Sequence, residues 1–173
     1  MSEPAPEIQP KRLRALIDLS ALGGRWLLGA LFIYTGWQKV ADPVAFLKLV
    51  RQYDLFQSSL MLNTIAATLP WFEIFCGVLL LAGIAVRGTA AVLLGILFPF
   101  TGAVWHRALV LQAEQGIPFC AVKFDCGCGT GEVFICGKLL ENFGLILLGL
   151  WLLFGRGRKW AWRYTLLASR ADG

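Results

Sequence analysis

The chain has 173 residues, of which 57% are hydrophobic and only 16% charged, where average soluble domains carry about a quarter charged. That leaves too little polar surface for a soluble domain of this length. The net charge of +5 does not point to nucleic acid either, because the basic residues flank apolar runs instead of forming a face. The totals predict a compact protein embedded in a lipid bilayer.

Residues 1–10 contain Pro4, Pro6 and Pro10 with few apolar residues, and read as a disordered tail. No small-residue cleavage site follows a compact apolar core, so this tail is not expected to be a signal peptide. A cytoplasmic tail is assigned to residues 1–15, a membrane domain to 16–155 and a basic cytoplasmic tail to 156–173.

The first predicted span is 22–41, with Arg25 placed to snorkel its charge to the headgroups. Asp42-Pro43 ends it, because proline disfavours helical geometry in the residue before it and suits the start of a new helix. In the segment 44–56, Phe46, Leu47, Leu49, Val50 and Tyr53 share one helical face, and Lys48, Arg51, Gln52 and Asp54 fill much of the rest. That predicts a short amphipathic helix lying on the bundle end or in the interface.

The second span is predicted at 64–86 with one charge, Glu73. The third is predicted at 88–105 with Pro99 as a kink, and the fourth at 137–155. Each is near the roughly 20 residues needed to cross about 30 Å of hydrocarbon. The fold expected is an all-α integral membrane protein, a four-transmembrane-helix bundle with a Cys-rich extracytoplasmic loop before the last span.

Orientation follows from charge. The N-terminal part through Arg25, the turn at Arg87-Gly88 and the C-terminal tail hold ten of the sixteen Lys and Arg. The positive-inside rule then puts both termini in the cytoplasm of a bacterial-type inner membrane and both longer loops outside.

Of the five cysteines, Cys76 lies inside the second span and reads as apolar packing. Cys120, Cys126, Cys128 and Cys136 share the last loop, on the side where disulfides persist. Three pairings are open. Two structural disulfides are one reading. A redox pair is another: a Cys126–Cys128 bridge would close a very small ring, and strained, exposed disulfides are the labile ones. Gly127, Gly129 and Gly131 would let the backbone turn sharply and a partner thiol approach. A metal held by all four thiolates is the third, although C-x5-C-x-C-x7-C matches no common ligand spacing.

Glu73 is costly in lipid and should face the bundle interior. Counted from Arg87, and Lys39 from Arg25, both lie about 21 Å above the inner boundary at 1.5 Å per residue. They are expected to pair, with a proton-handling carboxylate as the functional alternative to a structural ion pair. His106, the only histidine, is placed at the outer end of the third span, where it could supply a proton or lower a thiol pKa. Lys138 and Glu141 would complete a polar ring beneath the loop. Tyr34, Trp37, Trp71 and Trp105 read as interfacial aromatics, some of which would line a slot if a quinone binds.

The stretches FIYTGWQKVADPVAFLKLVRQYDLF, LPWFEIFCGVLLLAGIAVRGTAAVL and DCGCGTGEVFICGKLLEN resemble the DoxX-like family, specifically its methylamine-utilisation MauE branch. Where that family reads CGCFG, this chain has Thr130 after Cys126-Gly127-Cys128-Gly129, and Cys120 and Cys136 are additional to the pattern. The resemblance implies a four-helix inner-membrane bundle that helps disulfide formation in exported proteins alongside a thioredoxin-like partner. Some DoxX relatives are linked instead to oxidase or thiosulfate:quinone complexes. Three functions follow: a thiol-disulfide oxidoreductase or its accessory factor, with quinone as the candidate cofactor; a non-catalytic subunit of a membrane complex; or a metal carrier.

Overall fold

A computed structural model of the chain describes residues 11–53, 58–125 and 131–155, with backbone alone at 11–14. Both tails, residues 54–57 and the segment 126–130 that carries Cys126 and Cys128 lie outside the described residues.

Five α-helices follow in chain order: α1 Lys11–Ala41, α2 Pro43–Gln52, α3 Ser59–Ala82, α4 Val86–Gln115 and α5 Ile135–Phe154. Between α4 and α5 come a single 3-10 turn at Phe119–Ala121 and the short strands β1 Lys123–Asp125 and β2 Glu132–Phe134. Among the described residues, α1, α3, α4 and α5 are long and apolar enough to cross a membrane. The four-span bundle read from the sequence is the observed fold.

Local chemistry explains the boundaries. Asp42 caps α2 by accepting from the Ala45 N–H at 2.9 Å, with Pro43 in the first turn, where its missing N–H costs nothing. Gly83 ends α3 in the left-handed region at φ 73, and the bonds Gly83 N–H to Leu80 O and Ile84 N–H to Leu79 O complete a Schellman motif. The turn into α4 is therefore Gly83 to Ala85, not Arg87-Gly88, which lie in the first turn of α4. Hydropathy could not tell which glycine turns the chain, because the residues on both sides are apolar.

Three other expectations, two span ends and the placing of Arg25, need correcting. The second span begins at Ser59 and the third continues to Gln115, ten residues past Trp105. Leu109 and Leu111 keep the apolar pattern going beyond His106-Arg107, and Gly116 at φ 63 closes the helix by donating to Gln112 O. Pro99, the predicted kink, lies inside α4. Arg25 is only 7% exposed, so its side chain is buried in the bundle.

These lengths shape one end of the bundle. From Glu73 back to Ser59, α3 projects about 21 Å, while α1 ends two residues after Lys39. Helix α4 projects about 18 Å beyond Ala103, while α5 starts three residues before Lys138. Helix α2 fills the space that α1 leaves beside α3. The 3-10 turn and the β1–β2 hairpin close the end above α5.

Two apolar clusters hold the ends. One joins Leu28, Phe32, Cys76, Leu80, Val86, Ala90, Leu93 and Leu152 across all four spans, which bears out Cys76 as packing. The other joins Val104, Ala108 and Leu111 of α4 to Val122 and Ile135 beneath the hairpin.

Candidate functional site

The α1–α3 seam sets the site's geometry. A Cβ on Gly29 would lie 2.9 Å from the Gly77 carbonyl oxygen, and one on Gly77 would lie 2.7 Å from that of Gly29. A Cβ on Gly36 would meet the Pro70 carbonyl oxygen at 2.8 Å. Gly29 and Gly36, seven apart on α1, and Gly77 on α3 thus let the backbones approach closely. Lys39 and Glu73, each three residues beyond a contact of this seam, fall on the same face (Gly36 to Lys39, Pro70 to Glu73).

There Lys39 Nζ donates to Glu73 Oε1 at 2.6 Å and Oε2 at 2.7 Å. Both side chains are buried, at 8% and 5% exposure, and the Lys39 ammonium lies 5.3 Å from the centre of the Phe46 ring. The expected pair is present. Across the bundle, buried Lys138 meets half-exposed Glu141 at 3.0 Å. Asn142, 1% exposed, donates to Thr101 Oγ1 at 3.2 Å, and that hydroxyl donates to Leu97 O at 2.7 Å.

These groups border a cavity of about 390 Å³ to which all five helices contribute. Its wall is mostly apolar, with Phe32, Phe46, Tyr53, Leu69 and Phe100 prominent, and its charged groups are Lys39, Glu73, Lys138 and Glu141. Sequence reading had the ionisable residues but missed Asn142, Thr35 and the aromatic wall. Asn142 carried a usable signal, being an amide inside an apolar span. The aromatic residues singled out beforehand point away: Tyr34, Trp37, Trp71 and Trp105 are exposed and do not line the cavity. His106 is also exposed on α4 and does not border it.

Above this end, Cys120 of the 3-10 turn is joined to Cys136 in the first turn of α5 by a disulfide, with Cα atoms 5.1 Å apart. Inside the ring so closed, β1 and β2 pair antiparallel through Lys123 with Phe134, Phe124 with Val133 and Asp125 with Glu132. The Lys123 ammonium lies 4.2 Å from the centre of the Phe134 ring. Cys126 and Cys128 belong to the connection of this hairpin and lie outside the described residues. Among the described residues, no three His, Cys, Asp or Glu cluster as a metal site.

The family model described as methylamine utilisation protein MauE matches residues 17–155. The chain belongs to the MauE family. The MauE match takes in all four spans, the Lys39–Glu73 pair, the cavity and the whole cysteine loop. No curated protein and no solved structure matches the chain. Family and fold together make it a multi-pass membrane protein of the methylamine-utilisation class.

Proposed function

We propose that this MauE-family protein is an inner-membrane thiol-redox protein that exchanges electrons or disulfides with extracytoplasmic partners through its cysteine loop. Both termini are cytoplasmic in this reading, which the basic flanks support. The observation that carries it is the Cys120–Cys136 bond. That bond uses the two outer cysteines of the loop, so Cys126 and Cys128, two positions apart in the sequence, are the loop cysteines outside it. It also takes away two of the four thiolates that a metal site would need.

The exchange balances simply. A partner thiolate attacks one sulfur of the Cys126–Cys128 disulfide, forming a mixed disulfide and releasing the other sulfur as a thiolate. The partner's second thiol then resolves the mixed disulfide, so the partner becomes oxidised and the loop gains two electrons. A thioredoxin-like protein, which presents two thiols, suits this role. Lys39, Glu73 and His106 are supporting polar groups in this reading, with Glu73 as the carboxylate available for proton handling.

The test removes one sulfur at a time. Cys126→Ser or Cys128→Ser should accumulate a reductant-sensitive adduct with a partner on non-reducing gels, and the double variant should not. If neither single variant forms an adduct while both insert normally, the loop is structural and the protein is better read as a non-catalytic membrane subunit.

A further inference from the structure

We propose that the cleft between α2, α4 and β1 takes an extended segment of a partner polypeptide, which joins the hairpin as a third strand along β1. That this segment is the thiol-bearing stretch of an exported partner rests on the thiol-redox reading; the strand site itself does not. The cleft encloses about 380 Å³ and is bounded by Gln52 and Tyr53 at the end of α2, by Arg107 on α4 and by all three residues of β1. That volume is at the low end of the roughly 300–1,000 Å³ of ligand pockets, and three extended residues span about 10 Å. A short strand fits there and a folded domain does not.

The hydrogen-bond register exposes the edge. Ile135 N–H donates to Val122 O at 3.1 Å, so this opposed pair, next to Lys123 and Phe134, is a hydrogen-bonded one. Bonded and non-bonded pairs alternate along an antiparallel ladder, which makes Phe124–Val133 the next bonded pair. Lys123 and Asp125 then turn their main-chain N–H and C=O away from β2. The cleft touches Lys123, Phe124 and Asp125 in succession, whereas a cleft over one face would meet every second side chain. It runs along the outer edge of β1. Among the described residues the sheet has two strands, and no main-chain hydrogen bond outside the hairpin reaches Lys123. Such an edge is a template for pairing with another chain.

The side chains specify the segment. Phe124 and Val133 pack into the cluster beneath, so Lys123, Asp125 and Glu132 fall on the opposite face. Asp125 and Glu132 stand directly opposite each other, an arrangement of like charges that destabilises an antiparallel pair. A Lys or Arg beside Asp125 in the third strand offsets that repulsion. Arg107 borders the cleft and has no salt bridge among the described residues, so its guanidinium can donate to carbonyl oxygens of the segment. With Lys123 it balances the two carboxylates, which favours a peptide carrying both donors and acceptors over a simple anion. Asp125 directly precedes Cys126, so a segment whose thiol reaches that cysteine carries the basic residue as the thiol's neighbour. There it lowers the thiol pKa and favours the attacking thiolate.

The test uses the full chain in nanodiscs and, as probe, a dye-labelled synthetic peptide of alternating Val and Thr with one central Lys and no cysteine. Fluorescence anisotropy should show binding, and none of a copy N-methylated throughout, which offers no N–H on either edge. In Lys123→Pro the outward N–H is gone while the ladder bonds of Phe124 stay, and Val122 already has the extended geometry that a following proline needs, at φ -61 and ψ 128. Binding should fall about tenfold or more, with thermal unfolding and the Cys120–Cys136 bond unchanged. Lys123→Thr keeps the N–H and should bind within roughly threefold of the wild type. Asp125→Asn/Glu132→Gln should weaken the lysine peptide roughly threefold and leave a glutamine-substituted peptide unaffected. Undiminished binding of the N-methylated copy, equal losses in Lys123→Pro and Lys123→Thr, or no binding to the wild-type chain at millimolar peptide overturns the assignment. Displacement of the peptide by phosphocholine also overturns it and makes the cleft a lipid-headgroup site. Peptide binding at β1 in a protein that forms no partner adduct supports the strand site and defeats the thiol reading alone.

Discussion

Lys39 and Glu73 place two opposite charges where lipid would otherwise penalise both, and the two close bonds between them compensate that cost. That they lie level with each other was legible from helix rise alone, counted from Arg25 and from Arg87. Their facing was not, since it depends on the close approach at Gly36 and Pro70, which no residue count reveals. Asn142 was passed over for the opposite reason. An amide carries no charge to attract notice, and its partner Thr101 lies on another helix. Removing one member of the ion pair leaves a buried charge uncompensated, so Glu73→Ala should cost about 3–5 kcal/mol of stability. The double variant Lys39→Met/Glu73→Ala should cost clearly less. A double-mutant cycle by detergent-titrated unfolding measures this, and additive losses would mean the two groups do not interact.

At the scale of the elements, apolar length was legible and element ends were not. Spans could be counted because about 20 apolar residues leave few alternatives in a short chain. The extension of α4 past Trp105 was hidden by His106 and Arg107, which look like a boundary but sit on a helix that continues into a second apolar cluster. The hairpin was invisible because each strand has only three residues, too few to display an alternation. The α1–α3 seam yields a sharp expectation. In Gly77→Val the side chain would run into the Gly29 carbonyl and Ile33, and stability should fall by about 1–3 kcal/mol or more. Gly102→Ala is the control: it meets nothing within 4 Å, so its effect should be neutral or slightly stabilising. Thermal unfolding in one detergent compares the two, and equal behaviour would remove the seam as the device that aligns Lys39 with Glu73.

At the scale of the whole molecule, the two ion pairs and the cysteine loop fall toward one end of the bundle. Helices α1 and α5 stop short there, α2 and the disulfide-tied hairpin fill the gap, and the charged cavity lies beneath them. Most of this architecture follows from the hydropathy pattern. The pairing of the loop cysteines does not, because four cysteines in one loop permit three arrangements of similar span. The proposed function rests on Cys126 and Cys128 being reachable from outside the membrane and cycling apart from Cys120–Cys136. The measurement that tests this most directly is an alkylation-shift titration on oriented membranes, equilibrated across a glutathione redox series and treated with a membrane-impermeant maleimide from the extracytoplasmic face. The expected result is a two-label shift at a potential the glutathione couple can reach, lost in the Cys126→Ser/Cys128→Ser variant, with Cys120–Cys136 opening only under stronger reduction. All four loop cysteines staying oxidised until strongly reducing conditions, staying bound to metal, or being labelled only from the cytoplasmic face would contradict it.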